Sequence, residues 1–164
     1  MTAATMLFAS SCSKEQISTT VPVGEEVTVT LTADLGAIES RAISDGLKVN
    51  EVAWAIYTAG ADTPLPDFQG ILPINEKKGT LEVRLVTGRS YDIALFAYAT
   101  ADPTLSQQNV ATPNPTYYKV DWNNKLVEVD FTAPVANDDD ARDCFWHVEK
   151  GLLIDRPITK TFTL

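Results

Sequence analysis

Apolar and polar residues alternate with a period of two along much of this chain, and long amphipathic patterns of helical period are missing. Successive side chains of a strand point to opposite faces, so such alternation marks a strand with one buried face. The clearest case is Glu25–Asp34, EEVTVTLTAD, in which Val27, Val29 and Leu31 alternate with Thr28, Thr30 and Thr32. The aliphatic face is expected inward and the threonine face outward. In Val49–Thr58, Val52, Trp54 and Ile56 share one face and Ala53, Ala55 and Tyr57 the other, with Trp54 expected in the core. Tyr91–Thr100, YDIALFAYAT, goes further. Tyr91, Ile93, Leu95, Ala97 and Ala99 line one face and Ala94, Phe96 and Tyr98 the other, so both are apolar. That predicts an interior strand, covered on both sides, at the centre of the fold. Its tyrosine, isoleucine and phenylalanine favour a strand over a buried helix, and Gly88 and Asp102-Pro103 punctuate it.

The weaker elements fall around these three. Gly60–Pro73 is turn-rich and predicts a loop with a short edge strand near Gln69–Leu72. Asn75–Gly79, NEKKG, reads as a hairpin turn. Thr80–Val86 places Leu81, Val83 and Leu85 inward and Glu82 and Arg84 outward, and Thr80–Thr100 is expected to form an antiparallel hairpin. Asp102–Thr116 is a long proline-bearing loop. Thr116–Val120 and Lys125–Phe131 flank Asn123-Asn124 and predict another hairpin. Phe145, Trp146 and Val148 make a short apolar stretch. Leu152–Leu164, interrupted by Pro157, is strand-like to its end, which predicts either pairing at a sheet edge or continuation into a further domain.

Composition narrows the function classes. The 164 residues, 45% of them hydrophobic, suffice for one domain with a sizeable core. A net charge of −9 argues against nucleic acid and anionic membrane surfaces, both of which demand clustered lysine and arginine. There are two cysteines, Cys12 and Cys144, with no CxxC pair or His–Cys cluster to suggest zinc. Asp138, Asp139, Asp140 and Asp143 carry calcium-type oxygen ligands but lack EF-hand spacing, and a helical turn capped by Asn137 or Asp138 is the simpler expectation. No metal site and no cofactor are expected. Neither a GxSxG nor an HExxH nor a phosphate-binding glycine loop occurs, and His147, the single histidine, belongs to no catalytic pattern. The chain therefore reads as a non-enzyme.

The N-terminal stretch MTAATMLFASSC resembles the end of a bacterial lipoprotein signal peptide. A short apolar run and small residues precede Cys12, whose thiol would accept the lipid. No basic residue precedes that run, so further signal residues are expected upstream. Residues 13–24 read as a polar tether.

The order of these features resembles the N-terminal domain of the fimbrillin-like surface lipoproteins of Gram-negative anaerobes. The likeness rests on Ser11-Cys12, the tether, the Val27–Asp34 strand, the loop with Ser40-Arg41-Ala42 and the apolar Val49–Thr58 strand. Tyr91–Tyr98 resembles that family's central strand. Asn137-Asp138 through Arg142-Asp143-Cys144-Phe145-Trp146 resembles a segment before its last strand, with Cys144 and Trp146 in place of commoner alanine and phenylalanine.

The resemblance implies an all-β, transthyretin-like Greek-key β-sandwich of about seven strands with long loops, spanning residues 25–164. It implies a structural, adhesive subunit of a fimbrium, exported to the outer membrane and cell surface as a lipoprotein through Cys12. It implies that an Arg-specific protease cuts after Arg41 and leaves Ala42 as the new N-terminus, although Arg41 also fits an ordinary solvated loop position. Loss of Val27, Val29 and Leu31 with their strand would then open a groove for β-strand addition by another fimbrial subunit. A surface receptor or glycan is a further implied partner. The alternative is an outer-membrane-anchored carbohydrate-binding β-sandwich that stacks sugars on Trp122, Tyr117 or Tyr118. Exposure of a coplanar aromatic patch separates the two.

Overall fold

The computed structural model describes residues 22–36, 49–100, 118–129 and 143–164. These residues form nine strands and no helix: β1 (Glu26–Asp34), β2 (Glu51–Thr58), β3 (Gln69–Pro73), β4 (Lys78–Val86), β5 (Arg89–Tyr98), β6 (Tyr118–Asp121), β7 (Leu126–Val129), β8 (Cys144–Ile154) and β9 (Ile158–Thr163). They make three sheets, with orders β4-β1-β9, β3-β2-β5-β8 and β6-β7. The all-β expectation holds. The two larger sheets hold seven strands between them, and the β6–β7 hairpin brings the total to nine.

One core lies between the two larger sheets. Val27, Val29, Leu31 and Leu85 meet it from the three-stranded sheet, and Val52, Trp54, Ile56, Ile93 and Leu95 from the four-stranded one. These are the alternate positions of their strands, as pleat geometry requires. β5 is the interior strand that its sequence predicts, paired with β2 on one side and β8 on the other. Its second face carries Ala94, Phe96 and Tyr98 and is covered by the β6–β7 hairpin through Tyr118, Val120, Trp122 and Val127. Tyr118 packs edge-on against Phe96 and Tyr98, with ring centroids 5.3 Å and 6.1 Å away. Tyr57 donates its hydroxyl hydrogen to the Trp122 carbonyl at 2.9 Å and fixes the hairpin in place. Burial, with the charge of Glu51 beside it, pushes the Tyr98 hydroxyl up to about 12.

Three sequence expectations are corrected. β4 and β5 do not pair as a hairpin: β4 joins β1 in one sheet and β5 joins β2 and β8 in the other. Thr87 and Gly88 carry the chain from sheet to sheet, with Gly88 at a φ of 78° that L side chains rarely adopt. The Asn75–Lys78 turn is present, closed by reciprocal backbone hydrogen bonds of 2.8 Å and 2.9 Å, but its flanking strands also diverge into different sheets. Finally, Phe145, Trp146 and Val148 are part of an 11-residue strand, β8. A bulge around Lys150 and Gly151 resets its alternation, so that His147 and Glu149 before it and Leu152 and Ile154 after it all lie on the inner face. The last segment, β9, is a separate edge strand, parallel to β1.

Candidate functional site

β1 is the first strand in the chain, yet it is central in its sheet. It pairs antiparallel with β4 from Glu26↔Val86 to Asp34↔Lys78, and parallel with β9 from Val29↔Ile158 to Asp34↔Thr163. Both of its backbone edges are therefore occupied along most of its length. Val27, Val29, Leu31 and Ala33 are buried, with Val29 at 0% exposure. Opposite them on β4 stand Leu85, Val83, Leu81 and Gly79, and on β9 Ile158, Lys160 and Phe162. The outer face is polar. Thr32 and Thr80 hydroxyls lie 3.2 Å apart, and Arg84 reaches Glu26 at 3.2 Å.

Each end of β1 is held by specific hydrogen bonds. At its start, the buried Thr87 donates its hydroxyl hydrogen to the Pro22 carbonyl at 2.6 Å and accepts the Glu25 N–H at 3.1 Å. The backbone adds Gly24 N–H to Thr87 O at 3.0 Å and Thr87 N–H to Glu25 O at 2.8 Å. Nearby, the Tyr91 hydroxyl accepts the Val86 N–H at 3.0 Å, which stiffens the same crossing. At the far end the Asp34 carboxylate accepts the Gly36 N–H at 2.9 Å and pairs with Lys78 at 3.1 Å. Those two contacts hold its carboxyl below the usual aspartate value. The Asp34 carbonyl takes the N–H of Leu164, and the N–H of Leu35 goes to the Lys77 carbonyl, both at 3.0 Å.

Of the residues that the sequence singles out, Val27, Val29 and Leu31 are brought together on the buried face of one strand, paired with β4 throughout and with β9 from Val29 onward. Cys12, Arg41 and Ala42 lie outside the described residues, as do Tyr117 and Asp138–Asp140. Tyr118 and Trp122 are packed against the four-stranded sheet, so they do not form an exposed coplanar platform. Among the described residues the strongly exposed aromatic is instead Trp146 on β8, at 70%. Sequence reasoning missed the anchoring role of Thr87. A buried threonine between an aliphatic strand and a glycine is its only signal, and that signal is weak. It also missed the inward-facing His147, Glu149 and Lys160, which sit at alternation positions where an aliphatic residue is the norm.

No family model matches the chain, and no curated protein or solved structure matches it.

Proposed function

We propose that this protein is a structural, adhesive subunit of a surface fimbrium, carried to the outer membrane by a lipid on Cys12 and assembled by β-strand exchange. In this reading the two larger sheets are the halves of a transthyretin-like Greek-key β-sandwich. The observation that carries it is the position of β1: first in sequence, central in its sheet, paired on both edges and apolar on one face. A cut after Arg41 falls between β1, which ends at Asp34, and β2, which begins at Glu51, and severs the one from the other. Departure of the freed segment then unpairs β4 and β9 together and uncovers the core beneath Val27, Val29 and Leu31. An extended strand from another subunit supplies the missing backbone partners, and its alternate apolar side chains refill the groove.

The test is the mass and N-terminal sequence of the protein recovered from its native cell surface. Ala42 as the mature N-terminus, in material that forms polymers, is the expected result. A lipidated Cys12 retained in every assembled molecule refutes strand exchange and leaves an anchored, uncut lipoprotein.

A further inference from the structure

Strand exchange demands something of β9. Its backbone pairs with β1 alone, and its other edge carries no strand among the described residues. β4 has the same exposure to the loss of β1, but β4 is continuous with β5 through the Thr87–Gly88 crossing that Tyr91 braces. β9 (Ile158–Thr163) follows β8 through a short turn. Once β1 leaves, no described strand pairs with its backbone, and the side-chain contacts to the facing sheet take on the task of positioning it.

Those side chains form one cluster across the seam between the two sheets. Ile158, Lys160 and Phe162 are the β9 residues beside the inward-facing Val29, Leu31 and Ala33 of β1, and so share that face. From β8, at the edge of the other sheet, His147 and Glu149 lie on the same face as Leu95 and Ile93. The Lys160 ammonium donates to Glu149 Oε1 and lies 5.4 Å from the Phe162 ring centroid. Glu149 Oε2 is 3.6 Å from His147 Nε2, and the His147 and Phe162 rings pack with centroids 5.0 Å apart. Within its own sheet Lys160 stands beside Leu31, and Glu149 beside Ile93. Each charge therefore has an apolar neighbour in its own ladder and finds its counter-charge in the opposite sheet. Inward-facing charges are costly unless paired, so this pair specifies one placement of β9 against β8.

We infer that Lys160, Glu149 and His147 are a latch that holds β9 in position after β1 departs, keeping the vacated place open to a strand antiparallel to β4 and parallel to β9. Its use in assembly rests on the strand-exchange reading. The latch itself is a property of the intact fold.

The experiment is hydrogen exchange on the full chain, comparing the unaltered protein with Lys160→Met and Glu149→Gln. Glu149→Gln keeps side-chain length, Lys160→Met keeps most of it, and each removes one charge. The expected result is a roughly tenfold rise in exchange for the β9 amides with β4 unchanged, because sub-global opening frees β9 first. An equal rise in β4 and β9, or no rise in either, overturns the latch. Chain cut after Arg41 is then offered a labelled synthetic peptide of residues 22–36. The unaltered protein is expected to take up the peptide and the two variants at least tenfold less. Equal uptake by all three overturns the role in assembly. No uptake by the unaltered protein refutes strand exchange, and the hydrogen-exchange result then decides the latch by itself.

Discussion

Replacing Leu31 with alanine is the sharpest perturbation of the candidate site. Leu31 is 2% exposed, stands between Leu81 and Lys160, and packs into the core shared by the two larger sheets. Truncating a buried leucine costs about 2–5 kcal/mol from lost transfer energy and the cavity left behind. At about 3 kcal/mol the population of molecules with β1 released rises roughly 150-fold. Thr28→Ala is the matched control. It lies on the same strand with the same backbone ladder, but its side chain faces solvent, so its cost stays within about 0.5 kcal/mol. Urea unfolding of the full chain, followed by tryptophan fluorescence, to which the buried Trp54 contributes, reads both. With a slope of about 2 kcal/mol/M, Leu31→Ala lowers the midpoint by roughly 1.5 M and Thr28→Ala by less than about 0.3 M. Equal shifts for the two variants would refute the assignment of β1 as a strand held by its apolar face. A shift below about 0.5 M for Leu31→Ala would refute the claim that this face closes the core.

Three further outcomes follow from local geometry. Gly88→Ala destabilises by about 1–2 kcal/mol because the position requires positive φ. The three atoms nearest to the added methyl all belong to the exposed Val23 side chain, which can move aside, so the double variant with Val23→Ala recovers little stability in the same unfolding assay. Lys77 sits at a φ of 65° in the Asn75–Lys78 turn, and Lys77→Gly is expected to raise the urea midpoint, by relief of about 1 kcal/mol of backbone strain. The Asp92 carboxylate accepts the N–H of Gly60 at 3.0 Å and of Gly151 at 2.7 Å, which hold its carboxyl below the usual aspartate value. Asp92→Asn leaves one of those donors with a poor partner and costs about 1 kcal/mol at pH 7. Because the folded value is depressed, the ionised group's contribution is complete above the unfolded value of ~3.9 and is lost as pH falls through the lower folded one. The stability gap between the two proteins therefore narrows below about pH 4 in unfolding measurements, and a gap independent of pH would contradict the assignment.

The parts of the fold legible in the sequence are those in which one physical signal dominates. Strict alternation gives β1, and two apolar faces give the interior position of β5. β2 carries the same double pattern and is likewise flanked on both sides. The β6–β7 hairpin is legible from Asn123-Asn124, although the left-handed residue that closes it is Lys125. β8 was hidden for two reasons: His147 and Glu149 occupy inward positions, and the bulge at Lys150 and Gly151 breaks the period. The candidate site is legible as a strand but not as a central one. Centrality depends on β9, which arrives from the far end of the chain and pairs parallel, and nothing local to Val27–Leu31 encodes that partner.

The misassigned β4–β5 hairpin points to a rule that the inner faces alone cannot supply. Leu81, Val83 and Leu85 of β4 and Tyr91, Ile93 and Leu95 of β5 all face one core, whether the strands pair side by side or stand in opposite sheets. The outer faces differ. β4 turns Thr80, Glu82 and Arg84 to solvent, whereas β5 turns Ala94, Phe96 and Tyr98 to the covering hairpin. Side-by-side pairing would set those charges next to an apolar surface that must be covered. Sorting by outer face returns the sheets as they stand. β1, β4 and β9 carry threonine and charge outward, while β2, β5 and β8 carry Ala53, Ala55, Tyr57, Phe96, Trp146 and Val148. The same sorting constrains any strand that replaces β1. It must be apolar at the positions of Val27, Val29, Leu31 and Ala33 and polar between them, because it enters a sheet whose outer face meets water.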